Sequence, residues 1–165
     1  MISNLSLSLE SLYINCSPKD KLIFDKLDLL SEITKLKLPY YARMPDLKES
    51  IIKKLSDLNY VLKIQSSIDS NFKISAVLDK TGVCVQFGNI ANLAMDILKI
   101  NDCFNNGIVE KAIIFLPTQS TEKIFGTSNC ATFERIGSKK SFFSRHINLP
   151  CCIFGVSVKG ENNDL

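Results

Sequence analysis

Seven side chains carry the groups most often used for nucleophilic or metal catalysis: Cys16, Cys84, Cys103, Cys130, Cys151, Cys152 and the single histidine, His146. No two cysteines form a C-x-x-C pair. Zinc ligands usually come at short, regular spacings, which Cys130, His146 and the Cys151–Cys152 doublet lack. Cys84 with His146 would make a thiol–imidazole pair, although nothing in the sequence orients it. Cys151 and Cys152 fall in an apolar run, where alternation sends them to opposite faces of a sheet. The cysteines therefore read as buried free thiols of a reducing compartment. The glycine-rich dinucleotide loop, the phosphate loop and the nucleophile-elbow motif are all absent. Chemistry of another kind is hinted at in Gly137–Arg145, where Lys139, Lys140 and Arg145 are interleaved with Phe142 and Phe143. Clustered base with aromatics suits a DNA-contact loop. Lys99, Lys111 and Arg135 could join Lys139, Lys140 and Arg145 in a phosphate-binding rim, and Asn89 is a further candidate for DNA contact.

The chain that must position these groups has 165 residues, 45% of them hydrophobic and 22% charged. That composition excludes disordered, collagenous and coiled-coil proteins. No apolar run reaches the roughly 20 residues that span a bilayer. Met1–Glu10 has neither a basic nor an apolar signal region, so a cytoplasmic location and no membrane partner are expected. The net charge of +3 is too small to argue for nucleic acid by itself.

Helix is expected over the first forty residues, led by a Ser17 cap and Pro18, with apolar positions from Leu22 to Leu36. A second helix starts near Asp46 and ends at Asn59, with Lys48, Lys53 and Lys54 on its solvated face. From Tyr60 the period becomes two, which predicts strands near 60–66, 72–78 and 83–87 with a turn over Asp79–Gly82. Asn89 opens an amphipathic helix on Ile90, Leu93, Ala94, Ile97 and Leu98. Ala112–Leu116 is a strand buried on both faces, Thr118–Asn129 reads as loop, Ala131–Ile136 starts a helix, and Cys151–Val158 is a second buried strand. The fold class expected is mixed α/β, a mixed β-sheet flanked by helices on both faces. Residues 1–45 form an N-terminal helical extension, 46–158 the core and 159–165 a polar tail.

Val83-Cys84-Val85-Gln86-Phe87-Gly88-Asn89, the helix after it, Asn105-Asn106-Gly107 and Ala112-Ile113-Ile114-Phe115-Leu116-Pro117 resemble the BamHI/BglII-type restriction endonucleases of the PD-(D/E)XK nuclease fold. The likeness runs from Tyr60 to Val158. It implies metal-dependent phosphodiester hydrolysis, with an aspartate and a glutamate from the hairpin holding Mg²⁺ and a glutamine two residues after the glutamate. It places the aspartate on Ser75, the glutamate on Cys84 and the glutamine on Gln86. The assumed turn sets Ser75 opposite Gln86. A hydroxyl and a thiol thus stand where hard Mg²⁺ needs carboxylate oxygens. Asp79 and Asp69 are the fallback carboxylates.

The resemblance implies a protein that binds duplex DNA within a restriction–modification or defence system, with its metal site impaired. It also implies a homodimer, or a heterodimer with a paralogous nuclease subunit. Two other readings stand beside it: an active Mg²⁺-dependent type II endonuclease using Asp79 or Asp69 with Gln86, and a non-catalytic protein-interaction module that kept the fold.

Overall fold

A computed structural model describes residues 2–67 and 71–162. In chain order the elements are β1 (Ile2–Ile14), α1 (Pro18–Asp25), α2 (Asp28–Thr34), β2 (Lys37–Pro39), α3 (Met44–Asp57), β3 (Val61–Gln65), β4 (Lys73–Leu78) and β5 (Thr81–Val85). They continue with α4 (Ile90–Asn105), β6 (Lys111–Pro117), α5 (Gln119–Ile124), α6 (Phe133–Gly137), α7 (Lys140–His146) and β7 (Cys151–Asn162). The described residues form one seven-stranded mixed sheet, ordered β2-β1-β7-β6-β5-β4-β3. β5, β6 and β7 run parallel, and every other neighbouring pair is antiparallel.

Each face of the sheet is covered by its own helices. α1, α2 and α3 bury Phe24, Leu29, Ile33, Leu47, Ile51 and Leu55 against one face. On the other, Leu93, Ile97, Ile100 and Cys103 of α4 pack with Ile136 and Phe143 over Ile114, Cys151 and Ile153. Cys151 and Cys152 go to opposite layers, as their adjacency requires. The parallel strands read as continuous apolar runs because both of their faces are covered.

Several expectations are corrected. Residues 2–14 are strand rather than helix, pairing along their length with β7. The alternation Leu5-Ser6-Leu7-Ser8-Leu9 is the period-two signal, with Leu5 and Leu7 buried. The single helix expected after Ser17 is two helices, broken at Lys26–Leu27, followed by the short strand β2. α5 lies within the segment read as loop, and Lys159–Asn162 continue β7 instead of forming a tail. α4 buries Leu93, Ile97, Ile100 and Cys103, so the stripe is rotated from the expected one and Ile90 and Leu98 are exposed.

The hairpin turn is also displaced. Its two central residues are Asp79 and Lys80, at φ +45° and +58°, flanked by the Leu78–Thr81 pair. That is the two-residue primed turn that matches strand twist. Gly82 is therefore a strand residue. A Cβ there would meet Val109 Cγ1 at 3.0 Å and Ile74 Cδ1 at 3.2 Å.

Candidate functional site

Moving the turn moves the register. Ala76 pairs with Val83 and Val77 with Gly82. One further step sets Ser75 opposite Cys84, not Gln86, two residues from the expected alignment. Here the ladder is irregular. The Val85 N–H donates to Ser75 Oγ at 3.0 Å. On the neighbouring strand Lys63 has φ +56°, although Leu62 and Ile64 on either side pair normally with Ala76 and Ile74. Both distortions border one cavity of about 450 Å³ at the carboxyl end of β5.

Gln86, just past β5, is held at three points. Its N–H donates to the Phe115 carbonyl at 2.9 Å. Its side-chain oxygen accepts the Gly88 N–H at 2.7 Å, and its side-chain NH₂ donates to Asp96 Oδ2 at 2.7 Å. The second oxygen of Asp96 accepts from the Lys99 ammonium at 2.9 Å. Asp96 and Lys99 are one turn apart on α4, and their side chains are 13% and 23% exposed, so this ion pair is largely shielded. Gly88 is tightly enclosed. A Cβ there would lie 2.9 Å from Gln86 Oε1 and 2.8 Å from Asn92 Nδ2.

Cys84 lies 1% exposed in the α4-side core. Burial, reinforced by the nearby Asp96 carboxylate, pushes its thiol far above the ordinary range, so it is a neutral, inert group. His146 is exposed at the end of α7 against the Phe142 ring, so no Cys84–His146 pair forms.

The structure brings Ser75, Gln86, Asp96 and Lys99 together at the cavity, with Lys48 of α3, Lys63 of β3 and Lys73 of β4 on its walls. The other candidates lie elsewhere. Asp79 is in the exposed hairpin turn, at the other end of β5 from Gln86, and Asp69 lies outside the described residues. Asn89 caps α4 by accepting the Asn92 N–H at 3.0 Å, and lines a different cavity with Lys139. Arg145 borders a third, beside Phe142. Lys140 begins α7, so the expected basic loop is a helix. Arg135 pairs with the buried Glu122 at 3.3 Å and donates to the Cys130 carbonyl at 2.5 Å, which makes it structural.

Sequence reasoning passed over Asp96, Lys63 and Lys73, and took Lys48 for solvated surface. The signal for Asp96 was its i,i+3 spacing to Lys99 beside the buried Ile97. None was available for the lysines of β3 and β4, whose strands looked regular.

A family model described as restriction endonuclease BglII/BglIII matches residues 36–156, well over half of the chain. The chain belongs to the BglII restriction endonuclease family. The crystal structure of restriction endonuclease BglII complexed with a DNA 16-mer aligns at TM-score 0.71 and 14% identity, covering 96% of this chain and 80% of that one. The crystal structure of free BglII aligns at TM-score 0.59 and 13% identity, covering 96% and 82%. A search of curated protein sequences finds no match. The family fold is thus reached on a sequence that has diverged widely. Among the described residues no helix is long and apolar enough to cross a membrane.

The family implies a divalent metal, and the donor set decides whether this site suits one. Mg²⁺ takes hard oxygen ligands in octahedral array, usually including one or two carboxylates. Ser75 offers a hydroxyl already bonded to a backbone N–H, Cys84 a buried neutral thiol, and Gln86 an amide engaged at both ends. The one carboxylate among the described lining residues, Asp96, has both oxygens occupied by its own chain. Among the described residues no three His, Cys, Asp or Glu side chains cluster to hold a metal. The residues present do not fit the ion.

Proposed function

We propose that this chain binds duplex DNA through a restriction-endonuclease fold and does not hydrolyse it alone, because its metal centre is impaired. What supports this reading is that the two positions the resemblance assigns to the metal-binding carboxylates offer none: the Ser75 hydroxyl accepts from the backbone and Cys84 is a buried neutral thiol. Duplex DNA as the partner is supported by family membership and by the alignment with BglII in complex with DNA. A role in restriction–modification or defence follows from the same membership. Ile90, Leu98 and Phe142 are exposed on α4 and α7, which supports a dimer, either of two copies or with an active paralogue.

Purified protein is incubated with Mg²⁺ or Mn²⁺ and plasmid DNA of mixed sequence, and the DNA is expected to stay intact. Discrete fragments would overturn the reading in favour of an active endonuclease. Ser75→Asp with Cys84→Glu installs carboxylates at the two positions on neighbouring strands and is expected to introduce metal-dependent cleavage. Circular dichroism checks that the variant, which places a larger group in a buried position, still folds. Salt-dependent DNA binding separates this reading from a protein-interaction module, since phosphate contacts release counterions and affinity then falls with salt.

A further inference from the structure

We infer that the cavity at the end of β5 holds a phosphate of the DNA backbone on lysine ammonium groups in place of a metal ion, so that DNA binding is independent of divalent cations. The inference rests on the reading that the chain binds duplex DNA, and goes beyond it in naming what replaced the metal.

A nuclease site with two carboxylates repels a phosphate until a cation screens them. In this chain that repulsion is gone, and among the described residues the cavity is lined by four lysines against one aspartate. The net charge of the whole chain is only +3. A near-neutral total thus conceals a concentrated basic site, and low-dielectric walls focus such a field. Asp96 consumes only Lys99. Among the described residues no carboxylate pairs with Lys48, Lys63 or Lys73.

The backbone adds an independent observation. Lys63 adopts the left-handed region within a strand whose flanking residues keep their register, and it does so beside Ser75. Strain of this kind concentrates at binding sites, where it aims a group that a regular strand would send elsewhere. Lysine is a poor choice for such a φ on conformational grounds alone, because asparagine or glycine would hold it more easily. Its presence is accounted for by its ammonium group.

The test measures binding of a short mixed-sequence DNA duplex by fluorescence anisotropy, in EDTA and in millimolar Mg²⁺ at equal ionic strength. Affinity in EDTA is expected to match or exceed that in Mg²⁺. Lys73→Gln and Lys63→Asn should each weaken binding about twofold to fivefold and lower the slope of log K against log salt by about one. Lys63→Asn also relieves the backbone, so it should leave thermal stability unchanged or raised, which excludes unfolding as the cause. Inorganic phosphate should compete for the same lysines and displace the duplex better than chloride at equal ionic strength, and that excess should shrink in Lys63→Asn and Lys73→Gln. Displacement by phosphate no better than by chloride would overturn the assignment. DNA binding that requires Mg²⁺, or that ignores both lysine substitutions, overturns this inference and leaves the proposed function standing. Absence of DNA binding in every condition overturns both.

Discussion

Asp96→Asn sets stability and DNA affinity against each other. Asn keeps the shape of the side chain but has one oxygen where the carboxylate had two. It can accept from the Gln86 amide or from the Lys99 ammonium, and its NH₂ must face the other donor. One charge-assisted hydrogen bond is lost, of a class contributing about 1.5–3 kcal/mol when well shielded. Lys99 is 23% exposed and regains part of that from water, so about 1–2 kcal/mol is the working figure. For a chain of this length that is about 3–6 °C in Tm. The same change removes the one negative charge that lines the cavity among the described residues and frees the Lys99 ammonium. Affinity for duplex DNA should therefore rise about twofold to fivefold at low salt, while the fold weakens. Differential scanning fluorimetry and DNA-binding titrations on one preparation read both quantities. If affinity falls along with stability, Asp96 contributes to binding, which is the behaviour of a metal ligand, and the argument that lysines took over from the metal is refuted.

Gly88→Ala places a methyl group 2.9 Å from Gln86 Oε1 and 2.8 Å from Asn92 Nδ2, and should cost about 1–3 kcal/mol by forcing the Gln86 amide off the Gly88 N–H, measured by urea denaturation. Asp79→Asn with Lys80→Gly installs the residues the primed turn prefers, and should raise stability by up to about 1 kcal/mol. DNA binding should not change, since the turn lies roughly 20 Å along β5 from Gln86, and a loss would revive Asp79 as a site residue. Burial raises the thiols of Cys84, Cys151 and Cys152, so they stay protonated in the folded chain while unfolded thiols ionise near their ordinary value. Protein stability should therefore be fully present below that value and fall as pH rises past it, each thiol adding a slope of up to about 1.4 kcal/mol per pH unit, checked by chemical denaturation across the alkaline range. Iodoacetamide on the native protein should modify Cys16, the half-exposed cysteine, ahead of the five buried ones, as peptide mass mapping would report.

The sequence displayed the central sheet plainly and its two flanks poorly. Ala112–Leu116 and Cys151–Val158 are unbroken apolar runs, which only strands covered on both faces carry, and both were legible. The leucine–serine alternation of β1 was legible in principle but lost beside the helical period downstream, because local pattern says nothing of a partner some 150 residues away. At the site, Ser75, Cys84 and Gln86 were singled out by likeness to a motif, and their geometry was not readable. The register depended on whether Asp79–Lys80 or a wider loop makes the turn, and neither residue advertises a positive φ as an Asn-Gly pair would. The Gln86–Asp96 hydrogen bond and the left-handed Lys63 are products of packing between elements, to which periodicity is blind.

The pairing of β1 with β7 carries a consequence for how the molecule is made. β3, β4 and β5 find their partners across short turns, and β6 and β7 join them through helical connections, so each of these contacts can form soon after synthesis. β1 has only the three-residue β2 as a partner near it in sequence. Leu5 meets Gly160 and Leu12 meets Ile153, so the strand emerges early and waits for almost the whole chain. Contacts of that sequence separation slow folding, because loop closure must precede any gain from burial. Until the seam closes, β7 presents an apolar edge to solvent, with Cys152, Phe154, Val156 and Val158 still uncovered on the face that later packs against α1 and α2. An unpaired apolar edge of that kind is the usual template for intermolecular strand addition. The last seam to form is therefore the one most exposed to misassembly, and the late stages of folding, rather than the site itself, set how much of this protein reaches a functional state.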